Sequence, residues 1–252
     1  MLPPLAHWQK HFENNEFSNN SINWEVEDIF TEEEYKHIKK SLPAFQLGES
    51  SEGKHLIQAA KDYAKEQNDP YLVTITRLFI KEEQGHALLL KRFMDKHKIP
   101  TLKKLWADDV FRKLRKNVGF ELSVTILITA ELLSLIYYSA LFNATSNKLL
   151  KSICEKLVKD EVVHIKYESE LLNHIRNEKS FLIKHLTRFA HQFFYFGTML
   201  VVYFSHHRIL NAGDYSFGRF WTACWQEFSY CFGQGNVLKK LPRRVSNSAI
   251  VS

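Results

Sequence analysis

Apolar residues recur along most of this chain at three- and four-residue steps, a period that predicts helix almost throughout. Residues 44–66 place Phe45, Leu56, Ala59, Ala60 and Tyr63 on one face, and Glu49 and Glu52 fall on the same stripe. Asp69 and Pro70 signal a helix start, with Asp as cap and Pro at the first helical position. That helix runs to about residue 97, is stopped by Pro100, and carries Leu72, Phe79, Glu83, Ala87 and Leu90 on a shared face. Residues 118–142 are apolar on nearly every side, which predicts a bundle interior, yet Glu131 stands in their middle. Thr145, Ser146 and Asn147 predict a turn, followed by a helix to about residue 177. A longer connection with a short basic helix over 108–116 separates the two helix pairs.

The flanks read differently. Residues 1–30 are polar and Asn-rich with scattered aromatics, and read as an irregular surface arm. Thr31 and Glu34 form a capping box that opens a short helix expected to stop near Pro43. Beyond 178 the chain turns aromatic, with Phe189, Phe193, Tyr195, Trp221, Trp225 and Phe228 predicting one long apolar helix and one or two shorter ones. From 239 it is basic and polar and reads as a mobile tail. The expected division is therefore an arm and short helix over 1–43, a helical bundle over 44–178, packed aromatic helices over 179–238 and a tail over 239–252.

Composition narrows the picture. Only 9 Gly and 6 Pro in 252 residues leave room for few turns, which fits an all-α fold. Cys154, Cys224 and Cys231 make no Cys-x-x-Cys pair, so neither a disulfide framework nor a zinc ribbon is expected, and a reducing cytoplasm fits best. No secretory signal is read at the N-terminus, and the most apolar run, 193–204, falls short of the ~18 residues of a membrane span. A net charge of +6 spread over short clusters gives no reason to expect a nucleic-acid partner.

The chemistry lies in a repeated motif. Glu-x-x-His occurs at Glu34–His37, Glu52–His55, Glu83–His86 and Glu161–His164. On a helix, positions i and i+3 project from one face and can reach one ion. Glu131 precedes Glu161 by 30 residues, and Glu49 and Glu52 precede Glu83 by 34 and 31, spacings that antiparallel neighbours bring to one level. Carboxylates on the inner face of apolar helices are costly unless compensated. Four such charges match two divalent ions, and two neutral imidazoles complete a donor set suited to iron or manganese. Glu34–His37, on a polar helix, reads as surface. The spacing leaves Glu49 and Glu52 both open as ligands, with Glu52 and His55 alternatively serving to orient the ligands.

Glu, Glu-x-x-His, Glu, Glu-x-x-His on four successive helices resembles the ferritin-like di-iron carboxylate superfamily over roughly residues 44–177. Gly48-Glu49-Ser50 is similar to the first bundle helix of rubrerythrins, and Ala130-Glu131 followed by Tyr137-Tyr138 to their third. The resemblance implies a ferritin-like antiparallel four-helix bundle with a long crossover and extra C-terminal helices. It implies Glu49, Glu83 and His86 as one half-site and Glu131, Glu161 and His164 as the other. Glu83 and Glu161 would bridge two iron ions, or a manganese–iron pair, that react with dioxygen or peroxide. A rubrerythrin's Cys-x-x-Cys segment is missing, and the C-terminal part exceeds that of a storage ferritin. The expectation is therefore an oxidase or hydroxylase of a mostly apolar small molecule. C-terminal aromatics would wall its pocket, unless they form a packing or dimer surface. Tyr63, Tyr137 or Tyr138 would carry electrons or protons, unless they are core residues. Competing expectations are iron handling or peroxide removal, and a homodimeric or peripherally membrane-bound interaction protein with a vestigial site. Residues 193–204 and His206-His207-Arg208 motivate the latter.

Overall fold

The structure, a computed structural model, describes residues 5–15, 22–50, 53–103 and 118–233. These residues are helical without a strand among them: α1 Leu5–Asn15, α2 Glu32–Glu49, α3 Lys54–Gln67, α4 Leu72–Lys96, α5 Phe120–Ala144, α6 Lys148–Asn177, α7 Phe181–Ala212 and α8 Phe217–Phe232. The chain forms two compact units, Met1–Ile22 with Leu42–Ile126, and Asn23–Ser41 with Leu127–Ser252, so the division falls inside α2 and α5.

In the first unit, α1 and α3 both pack on α4. The α3–α4 turn is built from Asn68, left-handed at φ 51, and from Asp69, whose Oδ1 accepts the amides of Tyr71 at 2.9 Å and Leu72 at 3.2 Å. Those bonds satisfy donors that a helix start leaves open. The predicted bounds of α4 hold to within a few residues. The irregular arm does not: Leu5–Asn15 is a helix, with Trp8 and Phe12 buried and the Phe12 ring 6.2 Å from Phe79 on α4. Burial of an i, i+4 aromatic pair stabilises a helix too short to persist alone.

Two further expectations are corrected. The helix opened by the Thr31–Glu34 box does not stop at Pro43 but continues to Glu49. A proline removes one donor, and here Leu42 and Leu47, both buried, carry the helix past it. The helix expected over 44–66 is instead interrupted before Lys54. Gly53 sits there at φ 65, and an added Cβ would stand 2.5 Å from the Ile80 side chain, so no other residue suits this approach.

In the second unit, α5 and α6 form an antiparallel hairpin through Thr145–Asn147. Asn147 Oδ1 accepts the Leu150 amide at 2.8 Å. Glu34 closes its own helix start by accepting from the Thr31 amide at 2.7 Å, and it also accepts the amide and hydroxyl of Ser146. Burial alone would raise its pKa, but these hydrogen bonds outweigh burial and hold the carboxyl below its usual range. α8 packs against α6 and α7. Helix α5 is long and apolar enough to cross a membrane, and 83% of its apolar window is buried within the fold. The basic helix expected over 108–116 and the tail from 239 lie outside the described residues.

Candidate metal centre

In the second unit, α5 is buried at every position from 131 to 141, so a carboxylate at Glu131 cannot reach water along its own helix. Glu131 is 4% exposed, and Glu161 and His164 on α6 are 0% exposed. The hairpin turns all three toward one another. His164 Nδ1 stands 3.7 Å from Glu131 Oε2 and 3.9 Å from Glu161 Oε2. These separations exceed a hydrogen bond. Two donors bound to one ion at about 2.1 Å stand about 3.0 Å apart at a right angle and about 4.2 Å apart when opposite. Both distances fall within that window, so His164 is placed to share a divalent ion with either carboxylate.

The first unit carries the same pairing. His86 on α4 is fully buried, and its Nδ1 lies 3.4 Å from Glu83 Oε1, the Glu83 side chain being 14% exposed. Glu49 is buried at the last residue of α2. Each unit thus presents carboxylate and imidazole donors of the kind that can bind a metal ion, with Glu161, His86 and His164 buried and Glu83 partly so. Glu52 lies outside the described residues. His55 is exposed on α3, and Glu34 is committed to closing α2 and the Ser146 turn.

Several buried polar groups escaped the sequence reading. Glu168 is 2% exposed and follows Glu161 and His164 at positions i+7 and i+4, a helical spacing that was visible in the sequence. His191 on α7 is 2% exposed. Its Nδ1 lies 3.2 Å from Arg176 Nη1 and its Nε2 3.2 Å from Thr129 Oγ1. Arginine is always a donor, so Nδ1 accepts and Nε2–H donates to the threonine. Nothing in the sequence spacing links these three residues. Burial, seconded by Arg176, lowers the His191 pKa to about 3. The unfolded chain therefore binds a proton that the folded chain refuses between its ordinary pKa near 6.5 and about 3. Stability falls as pH drops through that window. We expect His191→Gln to abolish one proton's worth of this acid destabilisation, on the order of 5 kcal/mol when complete, measured as the pH dependence of the urea midpoint.

Among the tyrosines, Tyr63 stacks on Phe120 at 5.2 Å as a packing residue, while Tyr137 and Tyr138 are fully buried with rings 5.5 Å apart. Tyr137 joins a polar chain. Ser41 Oγ donates to the Tyr137 hydroxyl at 3.0 Å and lies 2.8 Å from Nδ1 of His206, which is partly exposed. Burial lowers the His206 pKa to about 4, so its ring is neutral and able to accept near pH 7. With the Ser41 hydroxyl turned to His206 and the phenol to Ser41, the same atoms form a continuous hydrogen-bonded path from Tyr137 to His206.

Compared with protein-family models, curated proteins and solved structures, the chain matches none.

Proposed function

We propose that the chain is a ferritin-like oxidoreductase that binds a pair of iron ions or a manganese–iron pair, with Glu49, Glu83 and His86 as donors from one unit and Glu131, Glu161 and His164 as donors from the other. The observation that carries this reading is duplication. Each unit carries a Glu-x-x-His pair whose histidine is fully buried, and each has a buried carboxylate on an earlier helix, Glu49 in one and Glu131 in the other. Such acids are costly inside an apolar fold unless cations accompany them, and oxygen–imidazole donor sets suit iron and manganese.

When bound, reduced metal ions of this kind supply electrons to dioxygen. The chain's own residues set the conditions for that chemistry. The carboxylates neutralise the ions, His86 and His164 present Nδ1, and Leu132, Leu133, Leu135 and Ile136 beside Glu131 exclude water. Tyr137, Ser41 and His206 give a proton a way out of the interior. Hydrocarbon walls of this kind favour a mostly apolar organic substrate.

Metal analysis of the purified protein tests the proposal. About two ions per chain are expected in the parent and clear loss in both Glu131→Ala and His164→Ala. Parent protein that takes up no iron or manganese sinks it. Steady iron oxidation by dioxygen, with no organic compound changed, would reassign the site to iron handling.

A further inference from the structure

Helix α7 is apolar on two opposite faces. Its inner face buries His191, Tyr195, Met199 and Tyr203, each four residues after the last. Its outer face leaves Leu182 76%, Leu186 65%, Phe189 67% and Phe193 71% exposed, with Phe181 at the helix start 77% exposed. Scattered exposed apolar residues are ordinary, but a contiguous row of large ones on a single helix face marks a contact surface. The 4-3-4 spacing from Leu182 to Phe193 makes this row straight, as an extended partner requires.

Charge identifies the partner. From Lys179 to Gly213 there is no Asp or Glu, while Lys179, Lys184, Arg188 and Arg208 lie on the segment together with four histidines. Phe181, Phe189 and Phe193 lie in the N-terminal half of α7, and its first turn, with Phe181, also carries the positive end of the helix dipole. A second copy of the chain would set two such acid-free cationic faces against each other. An anionic bilayer supplies both the hydrocarbon and the missing negative charge.

We propose that the outer face of α7 docks peripherally on a lipid bilayer containing anionic lipid. Phe181, Leu182, Leu186, Phe189 and Phe193 enter the interface, and Lys179, Lys184 and Arg188 meet the headgroups. This inference does not depend on the metal reading.

Flotation of the full chain with vesicles of phosphatidylcholine, alone or mixed with phosphatidylglycerol, tests it. The parent is expected to float with the mixed vesicles and to be released by high salt. The triple variant Leu186→Ser, Phe189→Ser, Phe193→Ser should lose binding by about tenfold or more, with its helical circular dichroism unchanged. Because a surface change can disturb folding, the double variant Lys184→Glu, Arg188→Glu provides a second arm and should lose the preference for anionic vesicles while keeping the apolar row. Parent protein that stays in solution with both vesicle types overturns the proposal. So does a parent that sediments as a dimer through this face, with the triple variant monomeric and neither binding vesicles.

Discussion

Ferrous ion added without oxygen is expected to raise the unfolding midpoint of the chelated protein by about 5 to 15 °C, and Glu161→Ala to erase the rise. The size follows from linkage. An ion present at a hundred to a thousand times its dissociation constant stabilises the folded state by about 2.7 to 4.1 kcal/mol, and for a chain of this size each kcal/mol moves the midpoint by roughly 2 to 4 °C. Glu161 is the residue to change because it is fully buried on α6 and shares its Nδ1 partner, His164, with Glu131. Without its carboxylate the second-unit donor set loses one of three ligands and one of two charges. Glu155 supplies the control. It lies on the same helix with its side chain 40% exposed and its Oε1 2.8 Å from Lys159, and Glu155→Ala should keep the full metal response. In chelated protein, Glu161→Gln should melt no lower than the parent, since the amide removes a buried charge of about the same volume. A parent whose midpoint is indifferent to the metal contradicts the site.

Much of this was legible in the sequence because the signals were local. Asp69, Asn147 and the Thr31–Glu34 box each announce a helix start through chemistry confined to a few residues, and the structure shows all three at work. Burial of Glu131 was legible because α5 is apolar on nearly every side, and that of Glu161 and His164 because they share the face of α6 that carries buried Leu157 and Ile165. What failed was non-local. Pro43 reads as a stop, yet burial of Leu42 and Leu47 overrides it. The apolar stripe over 44–66 reads as one helix, and only the left-handed Gly53 and its close approach to Ile80 show why the chain turns there. Trp8 and Phe12 were visible as an i, i+4 pair but gain meaning only from Phe79, 67 residues away. The Arg176–His191–Thr129 group joins three helices, and no spacing rule reaches that far. In α7 the sequence showed an apolar helix, while which of its faces is buried is decided by α8 and the aromatic cluster of Tyr195, Trp225 and Phe228.

Gly213→Ala is expected to destabilise the protein by about 3 kcal/mol or more, one of the largest effects available to a single methyl group here. The reason is not conformational, since Gly213 has φ −91, which any residue adopts. It is steric. A Cβ at this position would stand 2.0 Å from the carbonyl oxygen of Ala140, 2.6 Å from its carbon and 2.7 Å from its Cα. All three are backbone atoms of a fully buried turn of α5, so no side-chain rotation can make room. Relief requires α5 to move away from the end of α7, where Asn143 Nδ2 donates to the Gly213 carbonyl at 3.4 Å. Gly197 and Gly218 provide the comparison. Both are helical, and an added Cβ would meet nothing within 4 Å. There alanine should be neutral or stabilising by roughly 0.5–1 kcal/mol through helix propensity alone. Urea unfolding of the three variants separates the two effects. Because Ala140 and Glu131 lie on the same buried helix, a displaced α5 should also weaken metal retention in Gly213→Ala, while Gly197→Ala and Gly218→Ala retain it. A Gly213→Ala protein as stable as those two would show that α5 and α7 do not approach this closely at Ala140.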